Sequence, residues 1–182
     1  MSAVNGTIYN AKDYLVALGN ITLEAKEGIG NAGEMFMAGG NITLSDTDGD
    51  LINNAKLISV DGDITLNAEK GQVINESAGD VLALNGNVAF NAKGDVTNYG
   101  DVIALNATDK ANKGSISFVS STGNLKLPLS LYDPNTGKSL SNMYSPCVVF
   151  FICFAPFLCI KYNIFFIQSS LKKPTLNSRL AF

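Results

Sequence analysis

One motif returns at a nearly fixed step along this chain, and that repeat constrains the fold more than any other feature. It reads GNITLEA at 19–25, GNITLSD at 40–46, GDITLNA at 62–68 and GNVAFNA at 86–92, with a weaker copy, GSISFVS, at 114–120. The first four glycines step by 21, 22 and 24 residues. A second motif keeps the same phase: GTIYN at 6–10, GIGN at 28–31 (one residue short), GDLIN at 49–53, GQVIN at 71–75 and GDVTN at 94–98. Its asparagines, Asn10, Asn31, Asn53, Asn75 and Asn98, step by 21, 22, 22 and 23. A third apolar stretch completes each unit, at 14–18, 35–38, 57–60, 81–84 and 102–105.

Each unit is therefore three short segments separated by Gly/Asn/Asp turns. Alternation over four to six residues is the signature of a half-buried strand. Ile, Val, Thr and Leu fill these segments, as strand preference expects. Helix is disfavoured, because the segments are short, punctuated by glycine and lack 3.6-residue spacing.

A three-strand unit of this size cannot bury its apolar face alone. Stacked on a copy of itself it can, each segment pairing in parallel with its equivalent one coil along. Ile21 and Leu23 share one strand face, and Thr22 and Glu24 the other. The inward pair recurs as Ile42/Leu44, Ile64/Leu66 and Val88/Phe90. Each such side chain contributes about 1.5–3 kcal/mol on burial. The periodic Asn falls at a corner, where its amide can bond the next Asn in a ladder. Glycine at the corners is expected to supply positive φ. The fold predicted is all-β, a parallel β-helix of about five coils of 21–23 residues, a rod about 24 Å long. A right-handed turn is expected from the general preference of parallel crossovers together with the family resemblance given below, not from the sequence alone.

Composition divides the chain near 137–145. All 17 glycines and all 16 acidic residues lie at or before Gly137, whereas Cys147, Cys153, Cys159 and seven of the ten phenylalanines follow it. Residues 1–137 hold eight lysines against those acids, a net −8; residues 138–182 hold five bases and no acid, a net +5. Two regions follow: repeats at 1–137 and an unrelated hydrophobic tail at 138–182. The tail runs without a break through 147–160 and, with Lys161 and Asn163 inside it, on to Ile167. Three readings stand open: membrane contact through 147–167, translation out of frame, or a buried cap on the end of the rod. The cysteines step by six residues, which fits no zinc or redox motif.

Charge and composition exclude several functions. The net charge of −3 offers no basic surface for nucleic acid. Without any histidine, Ser-His-Asp, Cys-His and His-metal chemistries are closed. Asp46-Thr47-Asp48-Gly49-Asp50 opens like a calcium loop, but Leu51 and Leu57 stand where an EF-hand needs its Gly and Glu. Asp48, Asp50, Asp61 and Asp63 are the carboxylates that a carbohydrate-active β-helix would use, but nothing in the sequence fixes their separation. The Asn-x-Ser/Thr sites at Asn5, Asn20, Asn41, Asn75 and Asn106 are by-products of the repeat. No catalytic, cofactor-binding or metal-ligating residue is assigned.

The GNITLEA-type and GxΦxN-type motifs, with the Ala-Gly-Gly-Asn step at 38–41, resemble the filamentous-haemagglutinin family. These are the large exoproteins of two-partner secretion, among them adhesins and contact-dependent-inhibition toxins. The resemblance covers roughly residues 4–127. It implies a shaft on the surface of a Gram-negative cell, secretion with an outer-membrane transporter as partner, and contact with a host or neighbouring cell through a glycan or protein. Residues 1–4 show no basic or apolar leader, and the chain enters a repeat almost at once, which reads as a fragment of such a shaft. A small membrane-anchored β-helical surface protein and a carbohydrate-active β-helix are the alternative readings.

Overall fold

The computed structural model describes residues 1–105 and 114–127, and the backbone of the strands Met143–Tyr144, Cys147–Phe154 and Leu158–Ile164. Every regular element among the described residues is a strand. The strands form three parallel sheets that wind as a solenoid of about five turns. Each turn contributes one strand to each sheet in order. The second turn shows the pattern: Ile21–Ala25 in the first sheet, Gly28–Asn31 in the second, Met35–Ala38 in the third. Ile42–Asp46 then returns to the first sheet and lies against Ile21–Ala25.

Register follows the motifs residue for residue. Ile21, Ile42, Ile64, Val88 and Ile116 form one column, and Leu23, Leu44, Leu66, Phe90 and Phe118 the next. All of these point inward and are buried. Phe90 and Phe118 meet edge to face, their ring centroids 5.0 Å apart. Such a pair adds about 0.5–1.5 kcal/mol beyond the area it buries. The second sheet closes the core with Ile29, Leu51, Val73 and Val96, and the third with Phe36, Leu57, Val81 and Val102. Columns of one residue type recur because a one-residue slip would turn every apolar side chain outward.

The weak copy at 114–120 is a full rung: Ser115–Ser120 is a six-residue strand aligned on Val88–Ala92. It stands 28 residues beyond its partner, residues 106–113 lying between it and Val102–Ala104 in the sequence. Leu125–Lys126 adds another strand to the second sheet, opposite Val96 and Thr97. In the tail, Cys147–Phe154 continues the first sheet in parallel, and Leu158–Ile164 pairs with it antiparallel, setting Cys153 opposite Cys159. No helix among the described residues is long and apolar enough to cross a membrane.

The corner glycines act differently from the sequence expectation of positive φ. Among the described residues only Gly28 has one, at 144°. It lies where the second motif is one residue short, and there it takes the place held by Thr7 in the coil before and by Asp50, through its flanking bonds, in the coil after. At most of the other corners the need is close approach, although a Cβ on Gly6 or Gly19 would meet nothing within 4 Å. A Cβ on Gly71 would overlap the carbonyl of Gly49, and one on Gly86 the carbonyl of Gly62. Glycine at these places lets successive coils sit one strand spacing, about 4.8 Å, apart.

Candidate functional site

The polar residues of the repeat gather at the corners, so the corners are where any site would lie. The inner corner after the second sheet holds the asparagine ladder. Asn10 donates from Nδ2 to Oδ1 of Asn31 (3.0 Å), Asn31 to Asn53 (2.9 Å), Asn53 to Asn75 (2.7 Å) and Asn75 to Asn98 (2.8 Å). The last four are buried. The remaining amide hydrogen turns to a carbonyl of its own coil: Asn53 to Ala55, Asn75 to Gly79, Asn98 to Gly100. A buried amide thus meets its hydrogen-bonding needs by pairing both with the next rung and with its own turn. The ladder stops at Asn98, since Leu127 follows Lys126, the partner of Thr97, where a sixth Asn would stand. The sequence reading missed this sixth copy, Gly123-Asn124-Leu125-Lys126-Leu127, although its glycine and alternation were visible.

A second ladder runs on the outside, and it explains why Asn or Asp follows the corner glycine. Asn20 Oδ1 accepts from the backbone N–H of Asn41, Asn41 Oδ1 from that of Asp63, Asp63 Oδ1 from that of Asn87, and Asn87 Oδ1 from that of Ser115. At the next corner Asp50 Oδ1 accepts from Gln72 N–H, and Asp95 Oδ1 from Asn124 N–H. These short side chains add to the backbone bonds that continue from coil to coil around the bend, such as those from Gly40 N–H to Gly19 O and from Asp61 N–H to Gly39 O.

The four carboxylates proposed for glycan chemistry are placed by this arrangement. They fall at two corners, two at each: Asp48 and Asp50 between the first and second sheets, Asp61 and Asp63 between the third and first. Each has a partner in a neighbouring coil: Lys70 for Asp48 at 2.5 Å, Gln72 for Asp50, Asn85 for Asp61 and Asn87 for Asp63. The hydrogen bond from Lys70 holds the Asp48 carboxyl below its ordinary value. Lys126 does the same for Asp95. Among the described residues no three carboxylates or thiols group as a metal site would require.

Asp46 is the exception in the repeat. Its position otherwise belongs to Ala25, Ala68, Ala92 and Ser120, all facing inward. The Asp46 side chain is fully buried. Oδ1 accepts from the Gly49 N–H and closes the turn, but Oδ2 has no partner. Burial pushes its carboxyl upward, only partly offset by the backbone N–H groups of Gly49, Gly28 and Asp48. Ser120, the other polar residue of that column, resolves the problem by donating to Gly94 O at 2.8 Å. The Asp46–Asp50 segment, read from sequence as a failed calcium loop, is thus a turn closed by its own first aspartate.

No family model, curated protein or solved structure matches the chain. What these corners do chemically is bind coil to coil.

Proposed function

We propose that this chain is a structural shaft segment of a haemagglutinin-like bacterial surface exoprotein, which displays or mediates cell contact and does no catalysis. One observation carries the reading: the polar side chains that recur with the repeat are engaged between coils. Asn31, Asn53 and Asn75 bond one another, and Asp50, Asp61 and Asp63 each accept from the following coil. A surface built this way gains length and stiffness by adding coils. The motif resemblance supplies the rest of the proposal: secretion through an outer-membrane transporter, a position on a Gram-negative cell, and a glycan or protein on the facing cell as the partner.

The experiment is a turnover assay on a panel of polysaccharides, run beside a cell-binding assay with the same purified chain. The shaft reading expects no reducing ends above background and unchanged cell binding in Asp50→Asn. Turnover that disappears in Asp50→Asn would replace it with the carbohydrate-active reading.

A further inference from the structure

The three faces of the rod differ in what they show to solvent. On the first sheet the outward positions aligned with Thr22 are Thr43, Thr65, Ala89 and Ser117. On the second, Tyr9, Ile52 and Ile74 are interrupted by Gly30 and Thr97. On the third the outward column is Val16, Met37, Ile58, Leu82 and Ile103, in register. Two residues further along, Leu18, Val60, Leu84 and Leu105 make a second apolar column, kept in line by backbone bonds such as Leu84 N–H to Ser59 O. Leu18 is 99% exposed and Val16 61%. Strands apolar on both faces are normally covered on both.

The charges of this face lie in one place. Two residues before the first column, Tyr14, Met35, Lys56, Asp80 and Asp101 stand level with one another. Lys56 and Asp80 are neighbours in the middle of that row, one rung apart. The ion pairs among the described residues are Lys70–Asp48 and Lys126–Asp95, so neither Lys56 nor Asp80 has a charged partner there. A face that carries both halves of a charge pair side by side is complementary to a copy of itself, which is what a two-fold contact requires.

The charges also select the arrangement. A two-fold axis along the strands, passing between the rungs of Lys56 and Asp80, sets the two rods antiparallel. Lys56 then faces Asp80 of the second copy and Asp80 faces its Lys56. Ile58 faces Leu82, Met37 faces Ile103 and Val60 faces Leu84. Each lysine stands beside one aspartate and across from another. An axis along the rod instead puts Lys56 against Val60 and Asp80 against Leu84, burying both charges unpaired. Shifted to the charged row, that axis sets like against like.

Area fixes the strength. Five strands at about 4.8 Å and five residues at about 3.3 Å give a flat patch of roughly 400 Å². An exposed apolar patch of that size is large enough to be an interaction site. It is smaller than the roughly 800 Å² from each partner found in stable pairs, so the contact is weak and reversible.

We propose that the outer face of the third sheet is a self-association surface, on which a second copy of this chain packs antiparallel with Lys56 opposite Asp80.

The test is a photo-crosslinking amino acid at Ile58 in the full chain. Unlabelled and isotope-labelled chains are mixed, so that mass spectrometry separates products between copies from products within one. The expected product joins position 58 of one copy to the strand Val81–Ala83 of the other, and its yield rises with protein concentration. Lys56→Asp sets like charges opposite and should lower that yield several-fold. Adding Asp80→Lys rebuilds the pair with its charges exchanged and should restore it. A product within one chain, a product between copies at another segment, no product, a yield indifferent to Lys56→Asp, or no recovery in the double variant would each overturn the proposal.

Discussion

Asn53 donates its side-chain amide to Asn75 across 2.7 Å, and both side chains are completely buried. Neither amide could remain at that depth alone, so each rung requires the next. The ladder turns a polar residue, usually a cost in a core, into a device that fixes how one coil is set upon another.

Replacing a middle rung should therefore be severe. Asn53→Ala leaves the amide of Asn31 without its acceptor and the carbonyl of Asn75 without its donor. Each buried polar atom left unpaired costs about 1–3 kcal/mol. Asn10→Ala should cost less, because Asn10 is only half-buried and bonds one rung rather than two. Urea denaturation of the two variants checks the order; equal losses would contradict it.

Glycine substitutions should separate close approach from conformational freedom. Gly71→Ala places a methyl group on the Gly49 carbonyl and must push two coils apart. Gly19→Ala meets nothing within 4 Å and should be neutral or stabilising by up to about 1 kcal/mol. Thermal unfolding of both variants reads the contrast.

Asp46 should give the chain a pH dependence of unusual sign. Its carboxyl is raised in the folded chain, chiefly by burial, with the nearby Asp48 adding a smaller push the same way. A raised acid binds its proton more tightly when folded, so its contribution is full below the unfolded value, about 3.9. That contribution is lost as pH rises through the higher folded value. Asp48 and Asp95, both lowered by a lysine, behave oppositely and lose their contribution below the ordinary range. The wild-type chain should gain stability relative to Asp46→Asn as pH falls from 7 towards 4. Denaturation midpoints over that range test it, and a difference that does not change with pH would contradict it.

The strand columns were legible in the sequence because parallel stacking maps a repeat directly onto a register. The step between Asn53 and Asn75 is both the motif period and the pairing offset. The asparagine ladder was legible for the same reason. The close approach at Gly71 and Gly86 was not, since it depends on the distance between coils rather than on any local preference. Nor was the burial of Asp46: it reads as the opening of a failed calcium loop until the alignment with Ala25 and Ala68 sets it inside. The carboxylates at Asp48, Asp50, Asp61 and Asp63 were legible as residues, but their separation between two corners required the path of the chain.

The most direct test of the stacked coil is a distance between equivalent outward positions. Thr22 and Ser117 occupy the same place in the first sheet, with Thr43, Thr65 and Ala89 between them. Four strand spacings separate their backbones by about 19 Å. Spin labels at Thr22→Cys and Ser117→Cys, with Cys147, Cys153 and Cys159 replaced by serine, report that distance by pulsed electron resonance. The account predicts one narrow distribution near that spacing, broadened only by the label arms. A broad distribution, or one centred far beyond it, would contradict the solenoid.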